Sequence, residues 1–168
     1  MLMTHVEAVS ASQTEIFFPP KRILAPIDGS DNASRALSVA IEIAKRYDAD
    51  LLIMTVTRRD RYGAGMGSDF PGHAEAVREY YDEMDKLSDH LLEDSLAAAM
   101  KAGVTKVKTE AIPEFESVPQ QILEVSTNRS IDLIVLGTRG LGGFKRLLLG
   151  SVSSAIVAHS RSNVLVVR

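Results

Sequence analysis

A chain of 168 residues, 45% hydrophobic and 24% charged, has the composition of an ordinary globular protein and the length of one domain with a short tail. The absence of cysteine excludes a disulfide scaffold, a cysteine-ligated zinc site and thiol chemistry, and suits a reducing compartment. A net charge of −3 leaves no basic surplus for nucleic acid, and no stretch reaches the run of about 20 apolar residues that a membrane helix needs, so the expectation is a cytoplasmic protein with neither partner.

Met1 to Pro20 carries His5, Glu7 and Glu15, lacks the basic start and apolar run of a signal peptide, and ends in Phe17-Phe18-Pro19-Pro20. It reads as a flexible extension, with the domain spanning residues 21–168. Arg22 to Ile27 is a strand-length apolar run that stops at Asp28-Gly29-Ser30, a turn with a candidate helix cap. A helix follows with Ala33, Ala36, Leu37, Ala40, Ile41 and Ala44 on its inner face. Leu51 to Val56 is a second strand. Arg58 to Gly72 is the longest irregular stretch, of a length usual for lids, binding loops or disorder.

A long helix is expected from about His73 to Met100, with Val77, Tyr80, Tyr81, Met84, Leu87 and Leu91 as its buried stripe and Ala102-Gly103 as its end. Lys106 to Ile112 alternates polar and apolar residues, as an edge strand does. Ser117 and Gln120 are spaced as a capping box, Pro119 suits a first helical turn, and Val118, Ile122 and Val125 form the inner face. Leu133 to Leu136 is apolar throughout and expected to be central. A fourth helix starts near Ser151, with Val152, Ala155 and Ile156 inward, and Val164 to Val167 is the last strand. The order βαβαβαβαβ implies a doubly wound α/β fold of Rossmann-like type, an open five-stranded parallel sheet with helices on both faces. Ligands of such sheets bind beyond the strand C-termini where strand order reverses, here expected at the first and fourth strands.

The fourth strand runs into Gly137-Thr138-Arg139-Gly140, then Leu141 to Leu149, then Gly150-Ser151. Gly137 and Gly140 allow close approach of backbone to a ligand, and Gly150-Ser151 at a helix start offers unpaired N–H groups to an anion. Gly142 and Gly143 add freedom; Arg139, Lys145 and Arg146 add positive charge. Taken singly, the glycines suit turns and the cations suit a solvated surface; the combination is more specific than its parts. It is not a P-loop, because no lysine precedes Ser151.

The pattern of Gly, two residues, Gly, nine residues, Gly-Ser resembles the ATP-binding signature of the universal stress protein family. The resemblance runs from Lys21 to Arg168, through the opening Lys21–Ser30, the strand end at Val56, Leu148–Ser153 and the closing Asn163–Val167. It implies that Asp28 contacts adenosine, that Pro26 and Val56 line the adenine slot, that Gly137 and Gly140 approach ribose and phosphates, and that Gly150, Ser151, Val152 and Ser153 supply phosphate donors. Leu136, at the end of the fourth strand, and Arg139 complete the candidate set.

Other features are set aside. Gly63, Gly65 and Gly67 have the wrong spacing for a dinucleotide fingerprint. His5, His73, His90 and His159 show no metal-ligand spacing, and Glu79–Glu83 or Asp82–Asp85 suit a solvated helix face better than an acid–base couple. No candidate base for hydrolysis stands out, so the expectation is binding of ATP, AMP or another adenine nucleotide without efficient turnover. Mg²⁺ or Mn²⁺ would ride on the triphosphate. The rival expectations are a slow ATPase or phosphotransferase in the same cleft, and an interaction module with a vestigial pocket. The last strand, apolar and free of proline, invites edge pairing into a homodimer, as the resemblance also implies.

Overall fold

In the computed structural model, which describes residues 19–57, 73–141 and 149–168, the apolar runs pair in parallel. The elements are β1 (Arg22–Pro26), α1 (Asp31–Tyr47), β2 (Asp50–Thr57), α2 (His73–Lys101), β3 (Val107–Pro113), α3 (Val118–Asn128), β4 (Leu133–Gly137), α4 (Ser151–His159) and β5 (Asn163–Val167). The sheet order is β3-β2-β1-β4-β5, so β3 and β5 are edges and strand order reverses between β1 and β4. The expectations for residues 1–18, for Arg58 to Gly72 and for Lys145 and Arg146 lie outside the described residues. Pro20 is fully buried, so packing begins before β1.

Strand periodicity sorts the core into two layers. Ile23, Ala25, Leu51, Ile53, Leu133 and Val135 face α1 and α2; their alternates Leu24, Leu52, Met54, Ile134 and Leu136 face Ile122 of α3 and Ile156 of α4. With both faces covered, the strands can be apolar at nearly every position. The Asp132 carboxylate accepts from the N–H groups of Lys21 (2.9 Å) and Arg22 (2.8 Å), pinning the start of β1 beside β4.

α1 buries the six residues its periodicity selects, and Ser30 caps it by accepting from the Ala33 N–H at 3.2 Å. It ends at Asp48, whose left-handed backbone (φ 52°) turns the chain into β2. The Asp48 carboxylate holds Lys106 Nζ at 2.7 Å, which raises the lysine's pKa above its ordinary value.

Two local expectations fail. Ser117 precedes α3 in extended conformation but makes no side-chain cap bond; Pro119 does sit in the first turn. On α2, Tyr80 and Leu87 are 56% and 57% exposed, while Leu92, Ser95 and Ala99 are the buried residues. Length explains this: 29 residues at about 1.5 Å each run about 43 Å, against about 26 Å for the eight residues of β2. The sheet reaches the helix only from about Asp85 onward, where Asp85, Ser88 and Asp89 lie beside Thr57 and Pro113 and Leu91 packs on the core. Among the described residues, no helix is long and apolar enough to cross a membrane.

Candidate functional site

The ends of β1 and β4 meet at the strand-order reversal, and the chain ties them together there. The Asp28 carboxylate accepts from the Ser30 N–H (Oδ1, 3.0 Å) and from the Leu141 N–H (Oδ2, 2.9 Å), across 113 residues of sequence. Gly29 supplies the left-handed turn (φ 81°) that brings Asp28 and the first turn of α1 together.

The glycines of the loop are explained first by the protein itself. A Cβ on Gly137 would lie 2.7 Å from the carbonyl carbon of Asn32 and 2.9 Å from its oxygen, because the first turn of α1 rests on the end of β4. A Cβ on Gly140 would overlap Asp28 Oδ2. At Gly150 the space is tighter than ordinary but not closed, with Thr138 O at 3.3 Å and Arg139 Cα at 3.4 Å.

Thr138 joins the two ends of the loop. Its carbonyl accepts from the Gly150 N–H (2.7 Å) and from Ser153 Oγ (2.8 Å), while its N–H donates to Val167 O (2.8 Å). Gly137–Gly140 is thereby fixed beside the start of α4. A glycine N-cap offers no side chain to that helix end. The first bond within α4 runs from the Ser154 N–H to Gly150 O (2.9 Å), so the N–H groups of Ser151, Val152 and Ser153 have no partner inside the helix. Three aligned donors at the positive end of the helix dipole fit an anionic group.

The side chains of the candidate set divide by role. Ser151 is exposed at the first helical position, while Ser153 is buried and its hydroxyl bonds Thr138 O and Gly150 O, so that side chain supports the loop. Pro26 follows Leu24 by two and shares its face of the sheet; Val56 and Leu136 pack against that same α3–α4 layer. These three residues line the strand ends with apolar surface, Leu136 buried below and Pro26 and Val56 half-buried above. Arg139 is half-buried, and its Nε is, among the described residues, the one buried side-chain polar atom without a hydrogen-bond partner. A buried donor of this kind is costly unless it meets an acceptor, and a phosphate or ribose oxygen is of the right chemistry.

The sequence did not mark Thr138, Asn32 or the Leu141 N–H as parts of the site. They act through backbone atoms, and residue type leaves no trace of that. A hollow of about 200 Å³ between α2 and the ends of β2 and β3, reached by Thr57, Ser88 and Pro113, shares no residue with the set. Among the described residues, no group of three or more His, Asp or Glu is placed to hold a metal.

A profile of the Universal stress protein family matches residues 19–168. A putative universal stress protein of Staphylococcus haemolyticus is 36% identical over 150 residues, covering 88% of this chain and 84% of that protein. The universal stress protein UspA from Lactobacillus plantarum has the same fold, with a TM-score of 0.74 at 27% identity over 88% of this chain and 97% of its own. A universal stress protein in complex with cAMP matches with a TM-score of 0.65 at 25% identity, over 88% and 97% of the two chains. Over nearly its whole described length, from the Asp28 turn to the edge strand β5, the chain belongs to the universal stress protein family.

Proposed function

We propose that this chain is a cytoplasmic, ATP-binding regulatory protein of the stress response, taking adenine nucleotides in the cleft between Asp28 and α4. The observation that carries the reading is the open start of α4, with a glycine cap, three N–H groups that have no partner inside the helix and the Gly137–Gly140 loop stapled beside it. The phosphates lie at that helix start with Arg139 Nε as a further donor, and the base lies on Pro26 and Val56. The relative that holds cAMP supports an adenine nucleotide as the ligand class. A divalent ion comes with the triphosphate. Retention without efficient turnover is favoured because both Asp28 oxygens already accept hydrogen bonds, which makes that carboxylate a poor base.

Ser151→Asp separates binding from folding. A carboxylate at the first turn of a helix is stabilising by about 0.3–1 kcal/mol, yet it repels a phosphate. ATP binding, measured by calorimetry on the full chain, is expected to weaken at least tenfold, about 1.4 kcal/mol, with thermal stability unchanged or raised. Equal ATP affinity in the variant and the parent refutes the placement of the phosphates.

The same reading includes a homodimer through β5. That strand is a sheet edge, with Leu165 37% exposed and no proline or charge from Val164 to Val167. Leu165→Lys places a charge on the edge without removing the neighbour of β4, and is expected to yield monomers in sedimentation. A dimer that survives the substitution rules out this interface.

A further inference from the structure

The N-terminal half of α2 carries an apolar stripe that, among the described residues, stays exposed at Tyr80 and Leu87 and reaches the core only at Leu91. Tyr80, Met84, Leu87 and Leu91 follow one another by four, three and four residues, the spacing of a coiled-coil seam. Tyr80 and Leu87 stand 56% and 57% exposed; Met84 and Leu91 are half-buried. At Leu91, which packs against the core, the seam merges with the buried row Leu92, Ser95 and Ala99, so its exposed part is Tyr80 and Leu87 with Met84 between them. The seam ends beside the cleft: a methyl on Gly29 would lie 4.0 Å from Leu91 Cδ2.

Charge identifies what the seam is suited to meet. From Glu75 to Asp94 the helix has eight carboxylates against two cations, a net of −6, where the whole chain has −3. Glu83, three residues after Tyr80 and four before Leu87, stands exposed on the border of the seam, and Glu79 lies one turn before it. Two copies of α2 laid together would oppose like charges along the contact, and an anionic bilayer would repel the helix. An apolar seam with an acidic border complements a helix that is apolar on one face and basic around it.

We propose that this face of α2 is a docking surface for a basic amphipathic helix of a partner protein. It is independent of the nucleotide reading, since no residue of the seam belongs to the candidate set.

The test uses the full chain and a synthetic helical peptide with leucine at the a and d positions and lysine elsewhere, followed by fluorescence anisotropy. Two controls accompany it: a peptide of the same composition with its leucines scattered, and one with glutamate in place of lysine. Saturable binding of the first peptide alone is expected, weakening as salt is raised. Leu87→Asp and Tyr80→Ser are each expected to reduce affinity about tenfold, close to 1.4 kcal/mol. Leu87→Asp has a decisive sign, because it adds negative charge: attraction by charge alone predicts tighter binding, docking on the seam predicts weaker. Both positions are exposed, and an unchanged thermal unfolding curve verifies that the fold is intact. The proposal is overturned if the scattered or glutamate peptide binds equally well, or if neither substitution weakens binding. It is overturned equally if Leu87→Asp lowers the mass of the chain in solution, which assigns the seam to a second copy, or if the chain is retained on anionic phospholipid vesicles.

Discussion

Gly137→Ala is expected to lower the stability of the domain by about 3 kcal/mol, the upper part of the usual range for forced overpacking. The added carbon would fall 2.7 Å from the carbonyl carbon of Asn32 and 2.9 Å from its oxygen and Cβ. Backbone in the first turn of a capped helix has no rotamer by which to yield, so α1 must lift from the end of β4. In urea the midpoint should fall with little change in slope, and the melting temperature should drop by about 10 °C for a domain of this size. Gly150→Ala is the internal comparison: its contacts are 3.3 and 3.4 Å and its φ of −74° suits any residue, so its cost should be much smaller. Equal stability of the Gly137 and Gly150 variants would contradict the close approach of α1 to β4.

The second large effect concerns Asp28 and Gly140 as a pair. Gly140→Ala displaces Asp28 Oδ2 and with it the bond from the Leu141 N–H; hydrogen bonds to charged groups contribute about 1.5–3 kcal/mol. Asp28→Ala removes the same bond from the other side. Once the carboxylate is gone, the alanine at 140 meets nothing that the wild type did not, and it should add little further cost. The double-mutant cycle in urea is therefore expected to show a coupling of about 1–2 kcal/mol, with both single variants and the double variant weakened alike in nucleotide binding. Strict additivity would mean that the carboxylate does not hold the loop.

The parallel sheet, its reversal at the first and fourth strands and the inner face of α1 were legible because period and punctuation agree there. Six apolar residues at helical spacing follow Asp28-Gly29-Ser30, and the alternates of β1, β2 and β4 are apolar on both sides. The buried face of α2 was misread because a repeat tells which residues share a side, not whether anything lies beneath them. Of the expected stripe, Tyr80 and Leu87 stand exposed, whereas Leu91 packs on the core next to Leu92, Ser95 and Ala99. At Ser117 the spacing of a capping box is present without the bond, while Pro119 sits in the first turn of α3.

The candidate site was legible as a place, between Asp28 and Ser153, more than as a mechanism of assembly. Glycine spacing signalled close approach, but not that Asn32 and Asp28 of the same chain are what comes close to Gly137 and Gly140. Ser153 stood as a phosphate donor on the family resemblance alone; its burial under Thr138 turns its hydroxyl inward and leaves its backbone N–H as the donor.

The adjacency of β1 and β4 also bears on the order of events during synthesis. Leu24 pairs with Ile134, and Asp132 grips the Lys21 and Arg22 amides across 110 residues or more. Contacts so distant in sequence form late, after the entropy of a long closed loop has been met. Until then β1 waits as a bare apolar margin beside β2. Leaving the ribosome, the chain has its first helix cap and its Asp28 turn early, but nothing to grip with them until the last third of the sequence has emerged and folded back.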